Sequence, residues 1–373
     1  MSVVPTPIPV AFCITELDRG GAELAMTQLV LGLDRTEWLP RVYCLGPQSY
    51  FAEVIRSGGV NVECFNAAGM TTLPRVLIQL TMAFRRFRPA LLQTFLFHGN
   101  LIGRLAGRLA RVPRIVSGIR VADRHNHWHG HLDRFTNALV DHNVCVSDGV
   151  AEFAISHSGL NAQKISVIPN GVDFNRFAAA EPANLQQFGI PNGATTLITV
   201  GRLEEQKGID ILLRAASVVL TNSPSTHFLI VGDGPDRQDL QSLAKRLGIA
   251  NSVHFVGARD DVPGLLAAST VFVLPSRWEG MPNALLEAMS AGLPVIATAA
   301  EGSRDLVHTG RTGMLVTPGL WDELAKVIQQ TLGQMPAAKK MAISAQSLVN
   351  ECYTTEIALT AYGNLYRRLL HHH

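Results

Sequence analysis

Short, continuously apolar runs alternate with amphipathic stretches along almost the whole chain. IPVAFCIT is followed by AELAMTQLVLGL, RVYCLG by YFAEVIRSG, ALLQTFLF by NLIGRLAGRLAR, and RIVSGI stands before NALVDHNVCVS. After residue 190 the rhythm restarts: TTLITVG, IDILLRAASVVL, HFLIVG, DRQDLQSLAKRLG, VHFVG, VPGLLAAS, VFVLPS, NALLEAMSAG, PVIAT. Runs without polar alternation suit strands of parallel sheets whose faces are both covered by the intervening helices. The pattern predicts an α/β protein of two doubly wound, Rossmann-like domains facing a cleft, with ligands at the carboxyl ends of the strands. Between the two series lies IPNGVDFNRFAAAEPANLQQFGIPNG, rich in Pro, Asn, Gly and Ala, which reads as the connection. The domains are drawn at 1–178 and 179–354, with a last helix over 355–370. A length of 373 residues agrees, because single cores stop growing at roughly 250 to 300.

Composition adds limits. Apolar residues make up 47% and charged ones 17%, far from the pattern of disorder. The five cysteines are odd in number, widely spaced and without C-x-x-C, which opposes a disulfide framework and favours a reducing compartment. MSVVPTPIPVAFCIT lacks a positively charged start, and no later run approaches the roughly 18 apolar residues of a membrane span. A soluble, cytoplasmic protein is expected. The trailing His371, His372 and His373 resemble part of a purification tag and enter no metal argument.

Net charge is +2, spread unevenly: residues 1–178 hold 17 Lys and Arg against 13 Asp and Glu, and the remainder 15 against 17. Arg75, Arg85, Arg86 and Arg88 edge the apolar stretch RVLIQLTMAFRRFR, and Arg104, Arg108 and Arg111 recur at helical spacing. Such faces are either solvated or in peripheral contact with the anionic inner face of a membrane. No basic stripe interleaved with aromatics suggests nucleic acid.

RWEGMPNALLEAMSAG carries Glu279 and Glu287 in a nearly uncharged segment. Pro282 and Asn283 suit the first turn of a helix and Gly292 its end, so Glu279 lies in the preceding loop and Glu287 inside the helix. Eight helical residues would separate the two by about 12 Å at ~1.5 Å per residue. That exceeds the roughly 5 to 9.5 Å of a hydrolytic carboxylate pair. Two hydrogen-bond acceptors for hydroxyls, beside a helix N-terminus that holds a phosphate through Gly280, Met281, Pro282 and Asn283, fit better. Arg202 and Lys207 follow a strand in TVGRLEEQKG, bracketed by Gly201 and Gly208, and could converge on a diphosphate. Gly20 and Gly21, with Glu23, open the first helix, where a backbone can approach a phosphate or a sugar.

These residues together resemble the family 4 retaining glycosyltransferases of the GT-B fold. Glu279-x7-Glu287 is similar to that family's E-x7-E signature, TVGRLEEQKGIDILL to its donor-phosphate loop, FLIVGDGPDRQDLQSLA with Gly234 to its nucleotide side, and DRGGAELAMTQL to its N-terminal Gly-Gly loop. VSDGVAEF and VIPNGVDFNRF resemble the end of its first domain, and the resemblance covers nearly the whole chain.

The resemblance implies a metal-independent transfer from a nucleotide diphosphate sugar, with UDP preferred, to a saccharide or lipid-linked saccharide. No cofactor is involved, and no D-x-D motif occurs. It also implies same-face attack, in which the departing phosphate oxygen takes the acceptor's proton. Arg202 and Lys207 would stabilise the leaving diphosphate, Glu287 would accept from the ribose hydroxyls, and Glu279 and His98 would lie by the transferred sugar. Arg120, ending RIVSGIR, is a candidate for the acceptor, and the last helix would return to the first domain. The histidines of RHNHWHGH form i, i+4 pairs, His125 with His129 and His127 with His131, but Trp128, Leu132, Phe135 and Leu139 mark an amphipathic helix with histidines on its polar side. No metal is expected. The alternatives are a UDP-N-acetylglucosamine 2-epimerase-like enzyme, which lacks this combination of E-x7-E and G-R-x4-K-G, and a non-catalytic saccharide- or nucleotide-binding protein, which donor hydrolysis or transfer would exclude.

Overall fold

The computed structural model describes residues 6–121 and 127–371, with backbone alone at 70 and 127–131. The histidine pairs of RHNHWHGH therefore fall outside the described side chains. The chain forms two compact units, one made of residues up to Gly171 together with those from Thr355, the other of Val172–Thr354.

The first unit runs β1 (Ile8–Ile14), α1 (Gly21–Gly32), β2 (Trp38–Cys44), α2 (Tyr50–Ser57), β3 (Val62–Cys64), α3 (Leu73–Phe87), β4 (Leu91–Phe95), α4 (Phe97–Leu109), β5 (Arg114–Ile119), α5 (His127–Thr136), β6 (His142–Cys145), α6 (Asp148–Ser156) and β7 (Ile165–Val167). The second runs α7 (Phe174–Ala178), β8 (Thr196–Val200), α8 (Ile209–Asn222), β9 (His227–Val231), α9 (Arg237–Arg246), β10 (Val253–Gly257), α10 (Val262–Ala267), β11 (Val271–Leu274), α11 (Asn283–Ser290), β12 (Val295–Thr298), α12 (Glu301–Leu306), β13 (Met314–Val316), α13 (Trp321–Gly333) and α14 (Met335–Cys352). The last helix, α15 (Thr355–His371), belongs to the first unit.

The sheet orders are β3-β2-β1-β4-β5-β6-β7 and β10-β9-β8-β11-β12-β13. All strand pairs are parallel. Both sheets are therefore doubly wound, as the apolar pattern predicts. Each reverses its winding once, between β1 and β4 and between β8 and β11. At such a reversal the loops after the two central strands diverge to opposite faces and leave a crevice at the carboxyl ends.

The first core fills both faces of its sheet. Phe12, Ile14, Met26, Trp38 and Val116 pack with Tyr366 on one face, and Ala11, Tyr43, Leu80, Phe84 and Ile115 on the other. Helix α15 is stitched into this unit. The Tyr366 hydroxyl donates to Gln93 Oε1 at 3.2 Å, its ring meets Trp38 edge-on at 5.8 Å, and Arg367 forms a two-pronged bond to Glu37 at 2.6 and 2.7 Å.

Two sequence-based expectations change. Residues 172–178, drawn with the first domain, lie in the second unit: the Val172 N–H donates to Tyr353 O at 2.9 Å, and α7 packs against α11. The row Arg104, Arg108, Arg111 is not uniformly solvated: Arg111 is exposed and Arg108 half-buried, but Arg104 is covered. Arg104 is fully buried, bonded to Ser117 Oγ at 2.8 Å, Asp133 Oδ1 at 2.6 Å and Thr136 Oγ1 at 2.9 Å, and Arg108 bonds Asp141 at 2.9 Å. Helical spacing shows that residues share a face, and burial then depends on what covers it. On α3, Arg75, Ile78, Met82, Arg85 and Arg86 are exposed together.

Candidate active site

The loops after β8 and β11 meet at the winding reversal of the second sheet. The β8 loop crosses through Gly201 and Arg202 into a single turn at Glu205–Lys207 and ends at Gly208 with φ +62°, where a Cβ would lie 2.2 Å from Pro275 O. Only glycine permits both that dihedral and that approach. The β11 loop is bound to it: Arg277 N–H donates to Gln206 O at 2.8 Å, Arg277 Nη1 to Glu205 O at 2.8 Å and Gln206 Nε2 to Trp278 O at 3.0 Å, while the Arg277 guanidinium also spans both carboxylate oxygens of Asp210 on α8 at 2.8 and 2.9 Å.

This stitching brings Lys207 and Glu279 together. Lys207 Nζ lies 2.6 Å from Glu279 Oε1, and the Ser276 hydroxyl donates to the same oxygen at 2.7 Å. The side chains are 18% and 5% exposed, so the pair is screened little by solvent. Both contacts fall on Oε1 rather than Oε2. The hydrocarbon stem of Lys207 runs over Gly201. Arg202 departs from its neighbour: its side chain is 52% exposed and pairs with Glu204 at 2.8 Å. Gly234 sits against Leu203, whose N–H donates to Asp233 O at 2.9 Å.

Gly280, Met281 and Pro282 are buried, and Asn283 begins α11. Glu287 lies on the second turn of that helix and retains some solvent contact. Burial pushes its carboxyl up to about 7, with the Arg176 guanidinium acting the other way. Among the described residues, no group of three or more His, Cys, Asp or Glu side chains is arranged to hold a metal ion.

The first unit repeats the geometry at its own reversal. The loop after β1 carries Gly20, which is extended and precedes α1, and Gly21, the first residue of that helix. Glu23 is buried and folds back so closely that a Cβ on Gly20 would lie 2.2 Å from its Oε2. The loop after β4 passes through Leu96, a non-glycine residue at φ +63°, directly into α4. His98 therefore stands in the first turn of α4. Its neighbour Gly99 donates its N–H to Thr15 Oγ1 at 2.9 Å and abuts Ile14, which ties the two loops together. Arg120, just past β5, is 8% exposed, bonds Asn170 Oδ1, and lines a small cavity with Gln28, Phe95, Asn170, Thr355 and Tyr362. Desolvation pulls its guanidinium below the ordinary value, against the opposing influence of Tyr362 and Glu23.

Sequence reasoning missed Ser276, Gln206 and the Arg277–Asp210 bond. The residues they join are up to 72 positions apart, and no periodicity reports such pairing. Asn170, beside Gly171 in the quoted VIPNG, carried the available signal for the partner of Arg120.

Two family descriptions match: Glycosyltransferase Family 4 over residues 19–176 and Glycosyl transferases group 1 over residues 181–347. The chain is 31% identical over 283 residues, 72% of each chain, to a UDP-Gal:α-D-GlcNAc-diphosphoundecaprenol α-1,3-galactosyltransferase of Escherichia coli. It is 31% identical over 222 residues, 60% of this chain and 63% of the relative, to the lipopolysaccharide core biosynthesis glycosyltransferase LpsE of Rhizobium meliloti. Among solved structures, Anabaena HepE in complex with UDP and glucose superposes with a TM-score of 0.86 at 23% identity, over 97% of this chain and all of that one.

Proposed function

The chain belongs to the group 1, family 4 glycosyltransferases, and from that premise we propose that it moves a sugar from a UDP-sugar to a hydroxyl of a lipid-linked saccharide, with retention and without a metal ion. The observation that carries this reading is the Lys207–Glu279–Ser276 cluster at the reversal of the second sheet. A lysine has three N–H donors, and Glu279 uses one of them. The other two are available to the diphosphate, with Arg202, exposed on the same loop, as a second cation. Glu279 Oε2 accepts from a hydroxyl of the transferred sugar, and Glu287 from the ribose. Gly280 to Asn283, at the start of α11, and Gly201 and Gly234 let backbone approach the nucleotide.

In the transfer step the acceptor oxygen bonds to the anomeric carbon as the bond from that carbon to phosphate breaks. The acceptor proton passes to the departing phosphate oxygen. Charge on the diphosphate rises as this bond breaks, so cations already fixed beside it act most strongly in the transition state. The unit Val172–Thr354 holds the donor. In the first unit Arg120 and its cavity serve the acceptor, while Gly20 and Gly21 serve the donor and His98 the transferred sugar. A diphosphate-linked acceptor, as in the Escherichia coli relative's name, suits a buried guanidinium. The exposed Arg75, Ile78, Met82, Arg85 and Arg86 of α3 give such an acceptor's membrane a basic, apolar surface to meet.

Screening nucleotide sugars by thermal shift, then following UDP release from the best binder, tests the donor. Release that persists in EDTA is expected; release that stops with EDTA and returns with Mg²⁺ or Mn²⁺ would refute the metal-free reading. Co-sedimentation with anionic vesicles is expected at low salt and should fall as salt rises, since surface attraction is screened within a Debye length. Absence of binding at low salt would leave α3 a solvated face.

A further inference from the structure

At the carboxyl ends of β2 and β3, two thiols stand in register. Cys44 on β2 and Cys64 on β3 are paired residues of the parallel ladder. Neighbouring strands lie about 4.8 Å apart, within the Cα separation that a disulfide spans. Both side chains lie on the same sheet face, Cys44 within the core cluster and Cys64 packed against it. Since β3 is the edge strand, Cys64 keeps partial contact with solvent.

The last turn of α2 supplies a cation. Arg56 Nη2 lies 3.9 Å from Cys64 Sγ, and the guanidinium is anchored by N–H bonds to Val62 O at 2.9 and 3.3 Å. The neighbouring Cys44 thiol, then the charge of Arg56, hold the Cys64 thiol below its ordinary value, with desolvation and Glu63 acting against them. Cys44 keeps its proton: its S–H donates to Thr15 O at 3.9 Å, and the neighbouring Cys64 thiol and burial raise it. The other cysteines differ. Cys13 and Cys145 are buried thiols pushed up to about 12 by desolvation, and Cys352 is exposed.

We propose that Cys64 is a hydroperoxide-reactive thiol that Cys44 resolves into an intramolecular disulfide, making the β2–β3 edge an oxidative modification site. In the first step the Cys64 thiolate attacks one peroxide oxygen and the O–O bond breaks. The departing hydroxide takes a proton and leaves as water, and Cys64 becomes a sulfenic acid. Cys44 sulfur then displaces the sulfenic hydroxyl, which leaves as a second water with the Cys44 proton. Two thiols are oxidised and one peroxide is reduced.

The test uses the full chain, reduced, freed of reductant and exposed to hydrogen peroxide at neutral pH, with residual thiols alkylated after denaturation and peptides mapped by mass. The expected result is a linked Cys44–Cys64 peptide pair lacking two hydrogens while Cys13, Cys145 and Cys352 alkylate fully. Cys44→Ser should leave a sulfenic acid at Cys64 that dimedone traps. Arg56→Gln, at an exposed position, should slow Cys64 oxidation roughly fivefold by removing the cation that favours the thiolate. Oxidation of Cys352 ahead of Cys64, or conversion of Cys64 to sulfinic acid with Cys44 still free, overturns the proposal.

Discussion

The two ends of the segment Arg277–Gly292 treat a glutamate in opposite ways. In the loop, Glu279 has lost almost all solvent contact and is met at once by Lys207 and Ser276. On the helix, Glu287 keeps some solvent, but burial pushes its carboxyl up to about 7 with the charge of Arg176 acting against it. One carboxylate is satisfied by the protein itself. The other has its charged form disfavoured until something donates to it. The difference teaches that the E-x7-E spacing places its two glutamates in opposite electrostatic settings, one paired with a cation and a hydroxyl, the other desolvated with its charged form disfavoured.

The largest effect should follow from Lys207→Ala. It removes the cation beside the diphosphate and leaves Glu279 buried and uncompensated. We expect turnover to fall about 100-fold or more, equivalent to ~2.7 kcal/mol of barrier, in single-turnover transfer at saturating donor, together with roughly 3 kcal/mol of stability in denaturant unfolding. Adding Glu279→Gln to that variant should recover much of the stability but not the turnover. Recovery of both would reduce the pair to a structural ion pair.

Next comes Glu287. Its substitution by Ala should weaken UDP binding by about 1–3 kcal/mol in calorimetry, and an unchanged dissociation constant would remove it from the site. Its titration sharpens the comparison. A folded-state value raised from 4.5 to about 7 stabilises the unliganded fold below pH 4.5, and that contribution is lost as pH rises through 7. Ribose hydroxyls prefer the ionised carboxylate, so UDP affinity should move the other way and rise about tenfold from pH 6 to pH 8. Glu287→Gln should flatten both dependences, and a wild-type affinity independent of pH over that range would contradict the assignment.

Arg202→Ala should produce the smallest loss, a fall in turnover of less than tenfold. The side chain is half exposed and already paired with Glu204. A loss equal to that of Lys207→Ala would show that Arg202 leaves Glu204 for the diphosphate.

Much of this was legible in the residues. Unbroken apolar runs foretold parallel sheets covered on both faces, and Lys207, Glu279 and Glu287 stood out by spacing. What distinguishes the two glutamates was not legible, because the Lys207–Glu279 pair and the bonds from Gln206 and Arg277 arise only when β8 and β11 become neighbours. The arginine row on α4 misled for a related reason: Arg104 has the spacing of a surface residue, but Asp133 and Thr136 cover it from 29 and 32 residues away. The first boundary was drawn late because 172–178 resembles a linker in composition, while its hydrogen bond to Tyr353 is invisible locally.

The return of α15 to the first unit has a consequence for how the chain is made. A ribosome releases Trp38, Glu37 and Gln93 early, yet their partners Tyr366 and Arg367 emerge only after the whole of Val172–Thr354. The second unit is continuous and can close its core during synthesis. The first must wait with an uncovered apolar face, so the unit begun first is completed last. Nascent chains stalled with Val172–Thr354 outside the exit tunnel and α15 still inside it should hold a protease-resistant second unit and a first unit that is still readily cut, and resistance of the first should appear only once α15 has cleared the tunnel.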